Sequence, residues 1–163
     1  MARRFRGEST HKVDAKGRVS IPAAFRRVLE DGDPDWTEGL NPNLVIVYGD
    51  ESRDFLEGYS MDAMEEVDEK IAKLPRGSKG RRRLERMFSG QAVPISVDET
   101  GRLVLAPKLR DKVGIENEAF FIASGDTFQI WQPDAFVKHM ESWNDDLEDG
   151  VDPLTLLDGE QEG

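Results

Sequence analysis

The sequence predicts an α+β fold that is mainly β, in which two similar halves share one small barrel about a pseudo-twofold axis. The first observation is a repeat, since "VDAKGR" at residues 13–18 returns as "VDETGR" at residues 97–102. The second is that both halves carry the same order of predicted elements. The third is size: each half holds only about four short strands, too few to bury a stable core alone. The two halves are therefore expected to pack together.

In the first half, "DAKG" has the composition of a tight turn, because Asp bonds nearby backbone amides and Gly accepts a positive φ. The segment "THKV" before it predicts a short strand, and "RVSIP" after it alternates with the period of a strand. "PAAFRRVLE" predicts a helix with Pro22 in its first turn. "LVIVYGDESRDFLEGY" predicts two strands joined at residues 49–52, and "SMDAMEEVDEKIAKL" a helix with Ser60 as N-cap.

The second half repeats this order. "QAVPISV", "DETG" and "RLVLA" predict strand, turn and strand, and "PKLRDKVG" predicts a helix. "EAFFIASGDTFQIWQ" predicts a hairpin whose Phe and Trp residues lie in the core, and "PDAFVKHMESW" a final helix. The segment "PRGSKGRRR" links the two halves.

The composition is that of a soluble cytosolic protein. At 163 residues and 37% hydrophobic, the chain can bury a core. It has no cysteine, which excludes disulfides and thiolate metal sites. No apolar run approaches the roughly 20 residues of a membrane span, and the basic N-terminus lacks the apolar stretch of a signal peptide.

Charge is unevenly distributed along the chain. The net charge is −11, but residues 1–30 carry +5 and residues 70–86 carry +7. From residue 141 to the end there are nine acids and no Lys or Arg. Because salt screens charges beyond about 8–10 Å, an acidic total leaves room for a basic binding face.

The repeated turn contains the candidate functional residues. Asp14, Gly17, Asp98 and Gly101 are interpreted as turn-shaping residues. Arg18 and Arg102 could merely pair with these aspartates, but a plain turn does not need Arg at the same place twice. The guanidinium fork suits phosphates and guanine O6 and N7, so both arginines are predicted to contact nucleic acid. Lys16 lies at the first turn tip, where the second copy has Thr100.

The run Arg81-Arg82-Arg83 leaves two interpretations open. It is either the solvated face of a helix, "KGRRRLERMFSG", that buries Leu84, Met87 and Phe88, or a set of phosphate contacts. An enzyme is not expected. The two histidines match no metal motif, and the sequence has no P-loop, G-x-S-x-G or G-x-G-x-x-G motif. No cofactor and no metal are predicted.

The segments "FRGESTHKVDAKGRVSIPAAFR" and "FSGQAVPISVDETGRLVLAPKLR" resemble the two halves of the MraZ family of bacterial transcriptional regulators. The similarity covers roughly residues 5–143 and includes the D-x-x-x-R motif twice, from Asp14 to Arg18 and from Asp98 to Arg102. Each copy is followed by an apolar strand and a Pro-containing helix start.

The resemblance implies two AbrB-like swapped-hairpin units in tandem, a double-psi-like small barrel with flanking helices. It also implies a ring of homo-oligomers that binds double-stranded DNA at promoter repeats. The expected role is a regulator, usually a repressor, of its own division and cell-wall gene cluster. DNA contacts are assigned to Arg18 and Arg102, with Lys16 and Arg6 as further basic residues. The expected location is the cytoplasm and nucleoid, without a membrane partner.

The predicted organisation has four parts. Residues 5–59 form the first repeat, residues 60–90 a helix and basic linker, and residues 91–143 the second repeat with its C-terminal helix. Residues 144–163 form an acidic tail that is expected to be disordered. An alternative function is an antitoxin-like protein of the same fold, whose tail neutralises a toxin partner. Antitoxins of this fold usually carry one hairpin copy per chain, and this chain carries two.

Overall fold

The computed structural model describes residues 3–146 and 152–158, and these contain eight β-strands and five α-helices. The strands are β1 Glu8–Lys12, β2 Arg18–Ser20, β3 Asn43–Val47, β4 Leu56–Ser60, β5 Ala92–Ser96, β6 Arg102–Val104, β7 Glu118–Ser124 and β8 Thr127–Trp131. The α-helices are α1 Ala23–Asp31, α2 Met61–Ala72, α3 Lys79–Glu85, α4 Pro107–Val113 and α5 Pro133–Asp146. A π-helical turn, Arg86–Gly90, continues α3. The predicted α+β class with a mainly antiparallel sheet is confirmed.

The strands form two sheets that join the halves of the chain. Six strands pair antiparallel in the order β1-β7-β8-β4-β3-β5, and β2 pairs with β6. The first strand of each half therefore pairs with the hairpin of the other half, as in Thr10 opposite Phe120 and Val45 opposite Pro94. Exchanging the halves leaves this order unchanged, so the strand order has the twofold character that the sequence repeat predicts.

Local sequence signals explain the helix boundaries. The Ser60 side chain accepts a hydrogen bond from the Ala63 N–H, which confirms the predicted N-cap of α2. Pro22 immediately precedes α1, and Pro107 occupies the first turn of α4, where a missing N–H costs nothing. Gly114 ends α4 in the left-handed conformation, with a φ of 74°.

The main core lies on one face of the six-stranded sheet. Helices α1 and α4 and the β2–β6 pair cover this face, each contributing residues that are almost completely buried. Phe5, Phe25 and Phe128 form an aromatic triangle with ring centroids 5.1–5.2 Å apart. Because such rings each bury a large apolar area, this cluster contributes strongly to the hydrophobic stabilisation of the fold.

The opposite face of the sheet has two separate covers. Over β3 and β4, helix α2 and the π-helical turn pack on a cluster that includes Val47, Tyr59 and Met64. Over β7 and β8, helix α5 packs through Phe136, whose ring lies 4.6 Å from that of Phe120. Strand alternation separates these contacts from the main core, because Phe120 and its buried neighbour Phe121 point to opposite faces of the sheet.

The helix predicted over "KGRRRLERMFSG" forms, but the prediction that Leu84 is buried is wrong. Leu84 is 36% exposed, whereas Met87 and Phe88 pack against the Val47 cluster. The chain changes from α-helix to π-helix at residue 86, which shifts the register of the later side chains relative to those of α3.

The acidic tail is only partly described. Helix α5 continues to Asp146, and residues 153–158 form a 3₁₀ helix in which Leu154, Leu156 and Leu157 are exposed. The predicted disorder also concerns residues 147–151 and 159–163, which lie outside the described residues.

Candidate nucleic-acid interface

Strands β2 and β6 form a two-stranded ribbon with one buried and one outward side. Val19 pairs with Leu103 at its centre, and these side chains are 1% and 0% exposed. Side chains alternate along a strand, so the flanking residues point away from the core. Four residues share this outward side, which we call the ribbon face: Arg18, Ser20, Arg102 and Val104.

The first repeated turn fixes the orientation of Arg18. Oδ1 of Asp14 accepts hydrogen bonds from the backbone N–H groups of Lys16 and Arg18, each at 2.9 Å. Oδ2 accepts a charge-assisted hydrogen bond from Nε of Arg18 at 2.6 Å. Gly17 donates its N–H to the Asp14 carbonyl at 2.9 Å and has a φ of 83°, a conformation that favours glycine.

The second turn repeats this arrangement. Oδ1 of Asp98 accepts from the backbone N–H groups of Thr100 and Arg102, each at 2.9 Å, and from the Thr100 hydroxyl at 2.8 Å. Oδ2 accepts from Nε of Arg102 at 3.3 Å. Gly101 has a φ of 82°. The four residues predicted to shape the turns therefore lie where the turn geometry needs them.

These hydrogen bonds lower the pKa of both aspartates. The backbone N–H of Arg18, followed by its side chain, holds the pKa of Asp14 below its usual value. The backbone N–H of Arg102 makes the largest contribution at Asp98, with further hydrogen bonds from Thr100, and lowers that pKa to about 2. Both carboxylates are consequently ionised at neutral pH and can hold their arginines.

The arginines keep donors available for a ligand. Arg18 and Arg102 have side chains that are 39% and 37% exposed. Within the described part of the chain, each uses only Nε in a side-chain hydrogen bond, so Nη1 and Nη2 have no protein partner. A guanidinium group held on one side presents a fixed pair of donors on the other. The ribbon face can therefore bind an acceptor pair such as guanine O6 and N7, or a phosphate.

Contacts between the halves hold the two turns in place. The carbonyl oxygen of Gly17 accepts from the Leu105 N–H at 2.8 Å, and that of Gly101 accepts from the Ile21 N–H at 3.0 Å. Nη1 of Arg26 donates to the Asp98 carbonyl at 2.5 Å. Each turn thus depends on residues from the other half.

Sequence reasoning did not single out Arg26 or its repeat equivalent, Arg110, which donates from Nε to the Leu105 carbonyl at 2.8 Å. The sequence does mark this pair, because Arg26 and Arg110 are separated by the same 84 residues as the turn arginines. Both stabilise the backbone beside the ribbon, so they are positioning residues for the ribbon face.

The remaining predicted DNA-binding residues lie at different places. Lys16 is exposed at the tip of the first turn, close to Arg18. Arg6 is also exposed, but its neighbour Phe5 is buried and donates its N–H to the Gly125 carbonyl at the β7–β8 turn. Strand β1 runs from there to the Asp14 turn and spans about 16 Å. The structure therefore does not bring Arg6 next to the ribbon face.

The second basic segment, residues 70–86, also lies apart from the ribbon face. It begins in the last turn of α2 and packs with that helix on the opposite side of the sheet. Arg81 pairs with Glu85 at 3.0 Å and donates to the Leu74 carbonyl at 2.9 Å, which is a structural role. Arg82 and Arg83 are exposed. The two basic regions of the sequence therefore do not form one continuous surface.

The described residues contain no group of three or more His, Asp or Glu side chains placed to hold a metal ion. None of their helices is long and apolar enough to cross a membrane.

Comparison with known proteins identifies relatives over almost the whole chain. A family model described as "MraZ protein, putative antitoxin-like" matches twice, at residues 4–87 and 87–152. A protein named transcriptional regulator MraZ from Ruegeria pomeroyi is 64% identical, and the alignment covers 98% of each chain. Proteins of the same name from Cereibacter sphaeroides and Parvibaculum lavamentivorans are 43% and 36% identical, over 97% and 81% of this chain and 98% and 78% of theirs. The two family matches confirm the predicted repeat.

The two turn glycines provide a matched test of the cross-half contact. A Cβ on Gly17 would lie 2.3 Å from the Leu105 carbonyl oxygen, whereas one on Gly101 would meet open space. Since both have the same positive φ, Gly101→Ala should cost about 1–2 kcal/mol from backbone strain alone. Gly17→Ala should cost at least about 1 kcal/mol more, because the backbone must shift. Urea unfolding measures both variants, and equal losses would contradict the cross-half contact.

The low pKa of Asp98 predicts a specific dependence of stability on pH. A carboxyl group whose pKa is lower in the folded state stabilises the protein when ionised. This contribution is fully present above the ordinary pKa of 3.8 and is lost as pH falls toward about 2. Asp98→Asn keeps an acceptor oxygen but removes the charge, so it should be less stable than the parent at pH 6. The difference in urea midpoint should shrink between pH 4 and pH 2, and a constant difference would refute the assignment.

Proposed function

This chain belongs to the MraZ family, and we propose on that basis that it is a sequence-specific DNA-binding transcriptional regulator. Its proposed action is repression of its own division and cell-wall gene cluster, through repeats in the promoter. The observation that supports this best is the ribbon face, where two arginines clamped by aspartates keep their Nη donors available. Such a regulator works in the cytoplasm, at the nucleoid.

The dimensions of the ribbon suit the major groove of DNA. The groove is about 12 Å wide and admits a two-stranded β-ribbon. Arg18 and Arg102 lie on neighbouring strands and two residues apart in register, which places their Cα atoms about 8 Å apart. Two guanidinium groups at this distance can reach base edges within one groove, or a base edge and a phosphate.

The first half of the ribbon is the more favourable side for DNA. Lys16 at its turn tip adds a positive charge, whereas the equivalent residue, Thr100, is neutral and is preceded by Glu99. Both turn aspartates are occupied by hydrogen bonds from their own turns, which reduces their repulsion of phosphates. We therefore assign the stronger contact to Arg18 and the weaker one to Arg102.

We also propose that the fold is the AbrB-like swapped-hairpin barrel. The pairing of each first strand with the hairpin of the other half supports this assignment. Val13 bridges to Val19, so the β2–β6 ribbon follows directly from the edge strand β1 of the large sheet. A ribbon that continues both edges of the sheet would close it into a barrel.

A ring of several chains is the proposed assembly. Exposed apolar side chains outside the ribbon support it, among them Leu84 on α3 at 36% and Val137 on α5 at 58% exposure. Closed symmetry is the usual form of such self-association. A ring would present one ribbon per chain to successive promoter repeats and add their affinities.

The DNA-binding proposal predicts that Arg18→Ala weakens operator binding about 5- to 150-fold, the value of one lost bidentate base contact. Arg102→Ala should have a smaller effect. Arg18→Lys keeps the charge but not the fork, so it should recover little. The measurement is affinity for a duplex from the region upstream of the gene, compared with a scrambled duplex at matched salt.

Lys138→Ala is the control for these variants. It also removes one positive charge, but it lies on α5, which covers the sheet face opposite the core, and it should leave operator affinity unchanged. Unchanged affinity in both arginine variants would overturn the site assignment. If the parent protein showed no preference for the upstream duplex, the antitoxin-like alternative would be favoured instead.

The assembly proposal predicts a particle several times the mass of one chain. Light scattering at micromolar concentration should show one dominant species that persists after dilution, since ring closure stabilises each contact through its neighbours. Leu84→Glu places a charge on the exposed α3 side chain and is expected to reduce the mass. A monomer in the parent protein would refute the ring.

A further inference from the structure

The ribbon face is not symmetric, although the fold around it is. In the pairing of β2 with β6, Arg18 lies opposite Val104 and Arg102 lies opposite Ser20. Val104 and Ser20 occupy equivalent places in the two repeats, 84 residues apart. The two arginines therefore have different neighbours: a branched apolar side chain beside Arg18 and a hydroxyl beside Arg102.

Val104 is exposed where the rest of the ribbon face is polar. It is 53% exposed, while the next residue toward the turn, Leu103, is completely buried. Strand alternation and the Arg18 pairing fix it on the outward side, so it cannot turn into the core. An apolar side chain at this place remains in water until a ligand covers it.

The chemistry of the major groove supplies an apolar partner. Among the groups on base edges in that groove, the thymine C5-methyl is the apolar one, and small apolar side chains contact it in direct readout. Residues directly opposite in a β-ribbon lie about 4.5–5.5 Å apart, while successive base pairs are about 3.4 Å apart. Val104 and Arg18 can thus contact neighbouring base pairs.

We propose, building on the DNA-binding function above, that Val104 is a specificity-determining residue that contacts a thymine methyl beside the base pair bound by Arg18. Ser20 occupies the equivalent place beside Arg102, where a hydroxyl pairs with either a donor or an acceptor and gives little preference. One chain therefore distinguishes the two ends of its site. The preferred DNA element is asymmetric, despite the twofold strand order of the protein.

The test removes single methyl groups from the DNA. A duplex is first selected from a random library with the full-length parent protein, and each thymidine in it is then replaced singly by deoxyuridine. The parent should lose affinity about fourfold at one thymine, the effect of one buried methyl group. Val104→Ser should bind the unmodified duplex about fourfold more weakly and be insensitive to that replacement.

Ser20→Val serves as the matched control. It makes the reverse exchange at the equivalent place, so it should keep the sensitivity of the parent at the original thymine and gain one at any thymine beside the base pair bound by Arg102. Thermal unfolding of both variants checks that the exposed ribbon tolerates the change.

Three outcomes would overturn the inference. If Val104→Ser still loses affinity when the original thymine is replaced, another residue makes the methyl contact. If the parent binds the selected duplex with the same affinity after every deoxyuridine replacement, there is no methyl contact, while the DNA-binding function remains supported. A parent that selects no duplex from the library removes both.

Discussion

The pairing of β2 with β6 is the contact on which the rest of the molecule depends. Each strand has only three residues and comes from a different half of the chain, so neither can form a sheet without the other. Their central side chains, Val19 and Leu103, cover the core on the side away from the six-stranded sheet. The turn glycines add backbone hydrogen bonds across the same boundary. Separating the halves would expose the core and undo both turns at once.

This dependence explains how an exposed site can be well ordered. Arg18 and Arg102 are more than one-third exposed, and long exposed side chains usually lose conformational entropy when they bind. Here an ionised aspartate already holds each Nε, and backbone N–H groups of the turn hold that aspartate. The buried ribbon thus fixes the orientation of the outward donors through a chain of hydrogen bonds. Lysine could not replace arginine in this role, because it lacks a second set of fixed donors.

The positions of the charges in the fold matter more for binding than the net charge of the chain does. The chain carries −11 in total, with one basic region at the N-terminus and another at residues 70–86. The structure places them on different sides of the sheet. Part of the second region makes contacts within the protein, since Arg81 pairs with Glu85 and donates to the Leu74 carbonyl just beyond α2. The DNA contact proposed for the ribbon face would consequently rely on a few oriented donors. A broad positive surface is not formed by the two regions together.

Most of the local structure followed from patterns within a few residues. The two turns, the strands beside them and the Ser60 cap were predicted because alternation, turn chemistry and capping are short-range properties. The strand pairing between the halves required the tertiary structure. Alternation within a strand does not name its partner, and the pairing of each first strand with the hairpin of the other half joins residues that are far apart in sequence. Exposure of Leu84 and Val104, the distance of Arg6 from the ribbon, and the contacts of Arg26 and Arg110 also depend on residues far away in sequence. Local patterns specify which way a side chain faces, but what covers that face is set by long-range packing.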